Sequence, residues 1–382
     1  MSRQDVKNRA SRDLPRVEMG QVRPFVEEDI PQVADLHRRV FPTGDHLSCR
    51  MQRSYTSYFR EIFLNNPWYD EDLPSLVYQD ADGAIVGFLG VMPRWMSVRG
   101  RPIQAAISSQ FIVEPDRRFT LAAVQLAKAF LSGPQDLSIA DEASNISCRL
   151  WERAGGVIAR LYSLYWGRLL RPNQFILARF GKHSLPAPIV ATAKPVCRLL
   201  DSLAAWMPGS PFRQTKPRVS GEELEAQTLL ACMSEFSRDR SVRAEYDERS
   251  LKWLFEILAQ KAQHGAFQKV AVRNGAGDLI GWYLYYLNRG GIGEVLQLGA
   301  KENSIKDVLD HLSYHAWRKG VVALSGRLEP RFLQEVCNSS CVYHHRGMWV
   351  LVHSHDPKLL ESIHRGDAFL TRLEGEWCMR FK

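Results

Sequence analysis

The chain has 382 residues, a net charge of +8 and a pI near 9.1, with 45% hydrophobic and 24% charged residues. That length exceeds what one core usually serves, and the composition excludes bulk disorder. No window approaches 18 uncharged apolar residues, which excludes a membrane-spanning helix. The opening MSRQDVKNRASRDLPR is charged and lacks the apolar run of a secretory signal, and the seven cysteines are scattered as free thiols would be. A cytoplasmic protein is therefore expected. The positive balance favours anionic partners, yet the arginines are spread along the chain as on a solvated surface. Nucleic-acid binding would rest on net charge alone and is not expected.

Residues 1–20 are polar and aperiodic, the pattern of a disordered tail. From Gln21 a short strand is predicted, then a helix start at Glu27–Asp29 with Pro31 in its first turn. Ile30, Val33, Ala34, Leu36, His37 and Val40 continue at helical spacing. SLVYQDADGAIVGFLGVMPRWMSV reads as a hairpin turned at Asp80-Ala81-Asp82-Gly83. PIQAAISSQFIV (102–113) carries no charge, as a strand buried on both faces would, and Pro115 stops it. A helix in FTLAAVQLAKAFL, a strand in DLSIAD and a glycine-ended helix in SNISCRLWERAGG follow. Residues 21–183 are thus expected to form a mixed α/β domain around one sheet.

Residues 184–218 hold six prolines and read as a linker. Within it Val196–Met207 is a short amphipathic helix with Leu199, Leu200, Leu203 and Trp206 on one side. Packing against a domain is expected for that side, and a peripheral membrane contact stays open as the alternative. Residues 219–382 form the second domain. Its FQKVAVRNGAGDLIGWYLYYL repeats the first hairpin in register, Gly277-Asp-Leu-Ile-Gly281 answering Gly83-Ala-Ile-Val-Gly87. An apolar strand (Val295–Ala300), a helix (Ile305–Lys319) and a strand (Val321–Ser325) complete the same order, which argues for a tandem duplication.

The chemistry centres on Val113-Glu-Pro-Asp-Arg-Arg-Phe-Thr-Leu-Ala-Ala-Val-Gln-Leu126. Here a buried strand ends, a basic loop follows and a helix begins. A helix start offers unpaired N–H groups and the positive end of the dipole to a pyrophosphate, and Arg117 and Arg118 add charge. On the residues alone, an anion site and an ordinary strand–helix junction weigh evenly. The stretch resembles the cofactor motif of GNAT-superfamily acyltransferases: Val113 and Pro115 match the strand end, and Arg118, Ala123 and Leu126 keep step with the motif. VRPFVEEDIPQVADLHRRVF is similar to the family's opening strand and helix, DGAIVGFLGV to its second and third strands, and LWERAGG to its closing segment. The resemblance spans about Gln21–Gly156 and, more weakly, Phe267–Phe332. Three positions depart from it. Leu121 replaces the first motif glycine, Trp151 the customary tyrosine, and Lys301-Glu-Asn-Ser-Ile-Lys306 has no glycine where a second phosphate loop belongs.

The resemblance implies two tandem GNAT-like domains, each a mixed sheet flanked by helices. It implies acetyl-CoA or another acyl-CoA as co-substrate, held by Ile112, Val113, Arg117, Arg118, Phe119, Thr120, Leu121, Ala122 and Ala123. A backbone N–H near Ile112–Val113 would polarise the thioester, and an amine would attack it. Asp141, Glu142 and Glu294 are the candidate bases. The second, degenerate domain would shape the acceptor site. The acceptor would be a small-molecule or glycan amine such as a sugar or cell-envelope precursor, since TRLEGEWCMRF resembles the ending of exopolysaccharide-associated members. The alternative, kept open by Leu121 and Trp151, is a catalytically inactive scaffold in an envelope-polysaccharide pathway. Acyl length and oligomeric state are undetermined at this level.

Other clusters read as structural. Cys337 and Cys341 lie near His344 and His345 without a second cysteine pair, so no metal is expected. His311 and His315 share a helix face, but Leu312 stands where a metalloprotease motif needs glutamate. His353 and His355 read as packed or solvated, Gly290–Gly293 as a turn, and Trp282–Tyr286 as core strand rather than base-stacking platform.

Overall fold

The computed structural model describes residues 20–41, 49–115, 121–184, 186–236 and 238–379. The first half runs β1 (Gln21–Pro24), α1 (Ile30–Val40), α2 (Cys49–Phe63), β2 (Leu76–Gln79), β3 (Ile85–Val98), β4 (Arg101–Val113), α3 (Leu121–Leu131), β5 (Leu137–Ala143), α4 (Asn145–Arg153), β6 (Val157–Ile158) and β7 (Leu164–Leu169). A helical hairpin, α5 (Pro172–Ser184) and α6 (Ala187–Trp206), follows. After it come β8 (Ser220–Glu223), α7 (Ala226–Phe236), β9 (Val242–Ala244), α8 (Glu248–Ala259), β10 (Ala266–Arg273), β11 (Leu279–Leu287), β12 (Ile292–Ala300), α9 (Ile305–Arg318) and β13 (Ala323–Arg327). The chain ends with α10 (Leu333–Asn338), β14 (Val342–His345), β15 (Trp349–His353), α11 (Pro357–His364), β16 (Ala368–Phe369) and α12 (Glu376–Met379).

These elements make two mixed sheets flanked by helices. One has the order β1-β2-β3-β4-β5-β15-β6, with β9 on the far end of β3 and β16 beside β9; the other has the order β14-β7-β13-β12-β11-β10-β8. The order expected from the repeated sequence is present twice. Antiparallel β2-β3-β4 ends in parallel β5, and antiparallel β10-β11-β12 ends in parallel β13. The paired glycines do the same work in each. A Cβ on Gly87 would stand 2.8 Å from Leu126 of α3, and one on Gly281 would stand 2.6 Å from Val308 of α9 and 2.5 Å from the Gly299 carbonyl oxygen. Each glycine lets the following helix lie close on its sheet.

Along the chain, the sheets do not divide where the helical hairpin does. β7 precedes the hairpin yet pairs with β13 and β14 of the second sheet. β15 comes from the second half and runs between β5 and β6 of the first. One core cluster accordingly joins Val33, Phe59 and Phe88 to Trp282, Leu284 and Tyr286. The region expected as a linker with a helix at Val196–Met207 is helical from Ala187, because Pro186 and Pro188 sit at the helix start, where a missing N–H costs nothing. Among the described residues no helix is long and apolar enough to cross a membrane.

Candidate active site

β4 and β5 begin as neighbours and then part. They pair from Ala105 opposite Leu137 to Ser108 opposite Ala140. Beyond that point β4 stays with β3, Ile112 facing Phe88 and Val113 facing Gly87, while β5 follows β15. A bulge between Ser109 and Ile112 bends β4 at the parting, and Gln110 there takes φ +53°. Across the gap on β5, Glu142 takes φ +57°. Among the described residues these are the only non-glycine strand residues in the left-handed region. Such backbone costs on the order of 1–3 kcal/mol and re-aims the groups it carries.

The bulge turns the Gln110 N–H into the gap, where it donates to Glu376 Oε1 at 2.9 Å. Gln110 Oε1 lies 2.8 Å from His37 Nε2 of α1. Glu376 belongs to α12, whose own N–H donates to Asp141 Oδ1. The C-terminal segment therefore lies across the open end of the parted strands.

The three expected carboxylates belong to one ionic cluster, Asp141 buried and Glu142 and Glu294 half-buried. Asp141, 1% exposed, accepts Arg327 Nη2 at 3.0 Å. Glu142 Oε1 lies 3.4 Å from Arg372 Nη2 and 3.5 Å from the Tyr165 hydroxyl. Glu294, from β12 of the other sheet, accepts Arg372 Nη1 at 2.6 Å and Arg346 Nη2 at 3.1 Å. Arg372, fully buried, thus bridges a carboxylate of each sheet. The Tyr165 ring lies beneath three guanidiniums, Arg346 at 4.5 Å, Arg372 at 5.7 Å and Arg327 at 6.0 Å. Burial pushes the Glu294 carboxyl upward, but Arg372 and Arg346 outweigh it and hold it below the usual range. Burial likewise pulls Arg372 down, and Glu294, Tyr165 and Glu142 more than reverse it.

The remaining expected residues divide. Ile112 and Val113 are buried at the end of β4 beside the gap. Arg117, Arg118, Phe119 and Thr120 lie outside the described residues. α3 opens with Leu121 exposed, Ala122 buried and Ala123 half-buried, so small side chains follow Leu121 in the first turn. Trp151 is core, its ring 5.8 Å from Phe130. In the second sheet β12 and β13 also part, beyond Val295 opposite Gly326. Leu370 and Thr371 fill that gap, the Arg372 N–H donates to the Leu296 carbonyl at 3.1 Å, and only about 20 Å³ is left. His311 and His315 pair with the hydroxyls of Tyr283 and Tyr285 at 3.0 and 2.9 Å. Burial lowers both imidazoles, His315 to about 4. Trp282–Tyr286 is buried throughout β11.

Gln110, Tyr165, Arg327, Arg346, Arg372 and Glu376 escaped the reading by sequence. The available signal was weak: charges alternating with small and apolar residues in RLEGEWCM, and a polar amide, Gln110, beside two serines late in an uncharged strand.

No family model matches this chain, and no curated protein matches it in sequence. Solved structures do resemble it. A GCN5-related N-acetyltransferase from Anabaena variabilis aligns over 88% of this chain and 73% of its own, at 11% identity and a TM-score of 0.58. A protein of Enterococcus faecalis described as a probable N-acyltransferase aligns over 88% and 72%, at 10% identity and a TM-score of 0.57. A GCN5-related N-acetyltransferase from Kribbella flavida aligns over 87% and 71%, at 11% identity and a TM-score of 0.51. The fold is that of the GCN5-related N-acetyltransferases. Within this GCN5-related fold, the C-terminal stretch meets both partings: Glu376 accepts the Gln110 N–H at the first, and Leu370 and Thr371 lie at the second.

Proposed function

We propose that the protein is an acyl-CoA-dependent N-acyltransferase. It transfers an acetyl or longer acyl group to an amine on a sugar or cell-envelope precursor, and it does so in the cytoplasm. The observation that carries this is the pair of left-handed strand residues, Gln110 and Glu142, flanking the parting of β4 and β5. The Gln110 N–H supplies a donor for a thioester oxygen as it becomes an oxyanion, once Glu376 yields that place. Glu142, at the parting on β5 and held by Arg372 and Tyr165, would remove the ammonium proton, so that the nitrogen bonds to the acyl carbon as the carbon–sulfur bond breaks and the coenzyme leaves as its thiolate. Asp141 and Glu294 serve as partners of Arg327 and Arg372, their oxygens already engaged. Ile112, Val113 and residues 117–123 would hold the coenzyme, with the small side chains of Ala122 and Ala123 at the helix start. Residues 21–183 would serve the acyl donor, and residues 219–382 the acceptor.

The test is calorimetric titration of acetyl-CoA and a long-chain acyl-CoA, with turnover assayed on amino sugars. Glu142→Gln should bind the acyl-CoA as the wild type does and lose about 10²–10⁴-fold in kcat. Absence of binding to either thioester would favour the scaffold alternative, which the exposed Leu121 at the start of α3 supports.

A further inference from the structure

The α5–α6 hairpin wears its amphipathic pattern inside out. On α6, the exposed Lys194 and Arg198 and the buried Asp201 line a cleft of about 730 Å³ that Arg171, Arg289 and Lys319 also line. Asp201 ties α6 to the start of α5, accepting the backbone N–H groups of Asn173 and Gln174 at 2.9 and 3.1 Å. The opposite side of α6, which a soluble protein ordinarily buries, is apolar and exposed. Leu199 is 62% exposed, Leu203 51% and Trp206 80%, with Ile176 and Phe180 of α5 exposed as well. Eight of the nineteen large apolar side chains exposed among the described residues belong to this one hairpin, and Met207 that ends it is a ninth, a concentration unlike scattered singles.

Charge names the partner. From Pro172 to Arg218 the chain carries seven lysines and arginines, of which Lys194 and Arg198 line the cleft, against the single carboxylate of Asp201, which the α5 N–H groups already occupy. Arg179 on α5 is exposed beside Phe180, and Arg213, Lys216 and Arg218 are exposed just past Trp206. An apolar helical face ending in a solvent-facing tryptophan and flanked by uncompensated cations matches the boundary of an anionic bilayer. At 20 residues with charges on one side, α6 is not apolar enough to span a bilayer. We infer that the hairpin docks the protein on an anionic lipid surface, with Leu199, Leu203 and Trp206 entering the headgroup–acyl boundary.

The experiment is co-sedimentation of the full chain with vesicles of phosphatidylcholine alone and of phosphatidylcholine mixed with phosphatidylglycerol. Binding is expected to the mixed vesicles, falling as salt is raised. Leu203→Glu/Trp206→Glu removes two inserted side chains and should weaken partitioning about a hundredfold, with circular dichroism and thermal unfolding unchanged because both positions are exposed. Arg213→Glu/Lys216→Glu/Arg218→Glu should weaken it about tenfold or more. The inference is overturned if the wild type ignores the mixed vesicles, or if the Leu203→Glu/Trp206→Glu variant binds as tightly as the wild type. It is equally overturned if sedimentation in free solution finds a dimer that this variant reduces to monomer, since a second copy would then cover the face.

Discussion

Arg372 is the side chain on which the two halves converge. Its guanidinium is wholly buried and holds Glu142 and Glu294, so removing it leaves carboxylates in a low-dielectric interior without their cation. Breaking a buried ionic network in this way typically costs several times what an exposed pair is worth. Arg372→Ala should destabilise by about 3–5 kcal/mol in urea unfolding, whereas the exposed pair Lys306–Asp310 should contribute under about 1 kcal/mol. The histidines of α9 set a second expectation. His315 folds with its pKa lowered to about 4 by burial, below its usual 6.5, and His311 is lowered too. The unfolded chain therefore binds more protons than the folded one between those values, and stability falls as pH drops from about 6.5 towards 4. Melting temperatures followed across that window should decline in the wild type and flatten in His311→Gln/His315→Gln.

The hairpins show why the repeated sequence makes a repeated element. Asp80-Ala81-Asp82-Gly83 and Asn274-Gly275-Ala276-Gly277 both close on a glycine with positive φ, at +82° and +87°. Asp80 and Asn274 each accept backbone N–H groups across the turn, so the chemistry that sets the hairpin is local. The glycines four residues on are set by packing instead. Gly87 faces the end of a flexible leucine, and Gly281 faces a backbone carbonyl oxygen at 2.5 Å, which has no room to yield. Gly281→Ala should cost about 1–3 kcal/mol in chemical denaturation and Gly87→Ala less, because Leu126 can change rotamer. α4 was equally legible. Ser144 accepts the Ser147 N–H as its cap, and Gly155 at φ +95° ends it.

At the scale of the molecule the exchange of β7 and β15 decides how the protein behaves. β5 without β15 would expose an unpaired edge, and β13 without β7 would do the same. Residues 1–184 expressed alone should therefore aggregate or stay incompletely folded, while co-expression with 185–382 should recover soluble material. The whole chain should unfold in one calorimetric transition, because a single core cluster joins both sheets. Two separate transitions would contradict that coupling.

The sequence by itself determined the elements: turn residues, uncharged or alternating strands and capped helices placed both hairpins, the strands that follow them and the repeat of their order. It also put Asp141 and Glu142 near the end of β5, whereas Glu294, expected on the counterpart of that strand, lies near the start of β12, the counterpart of β4. Tertiary structure alone decided that Glu142 and Glu294 meet through Arg372, that Glu376 reaches the Gln110 N–H, and that one half lends a strand to the other. Turns and caps are satisfied by groups a few residues apart, so their chemistry is written locally. Pairing β5 with β15 joins residues about two hundred positions apart, and such pairs are chosen by which edges and faces remain to be buried once every local choice has been made.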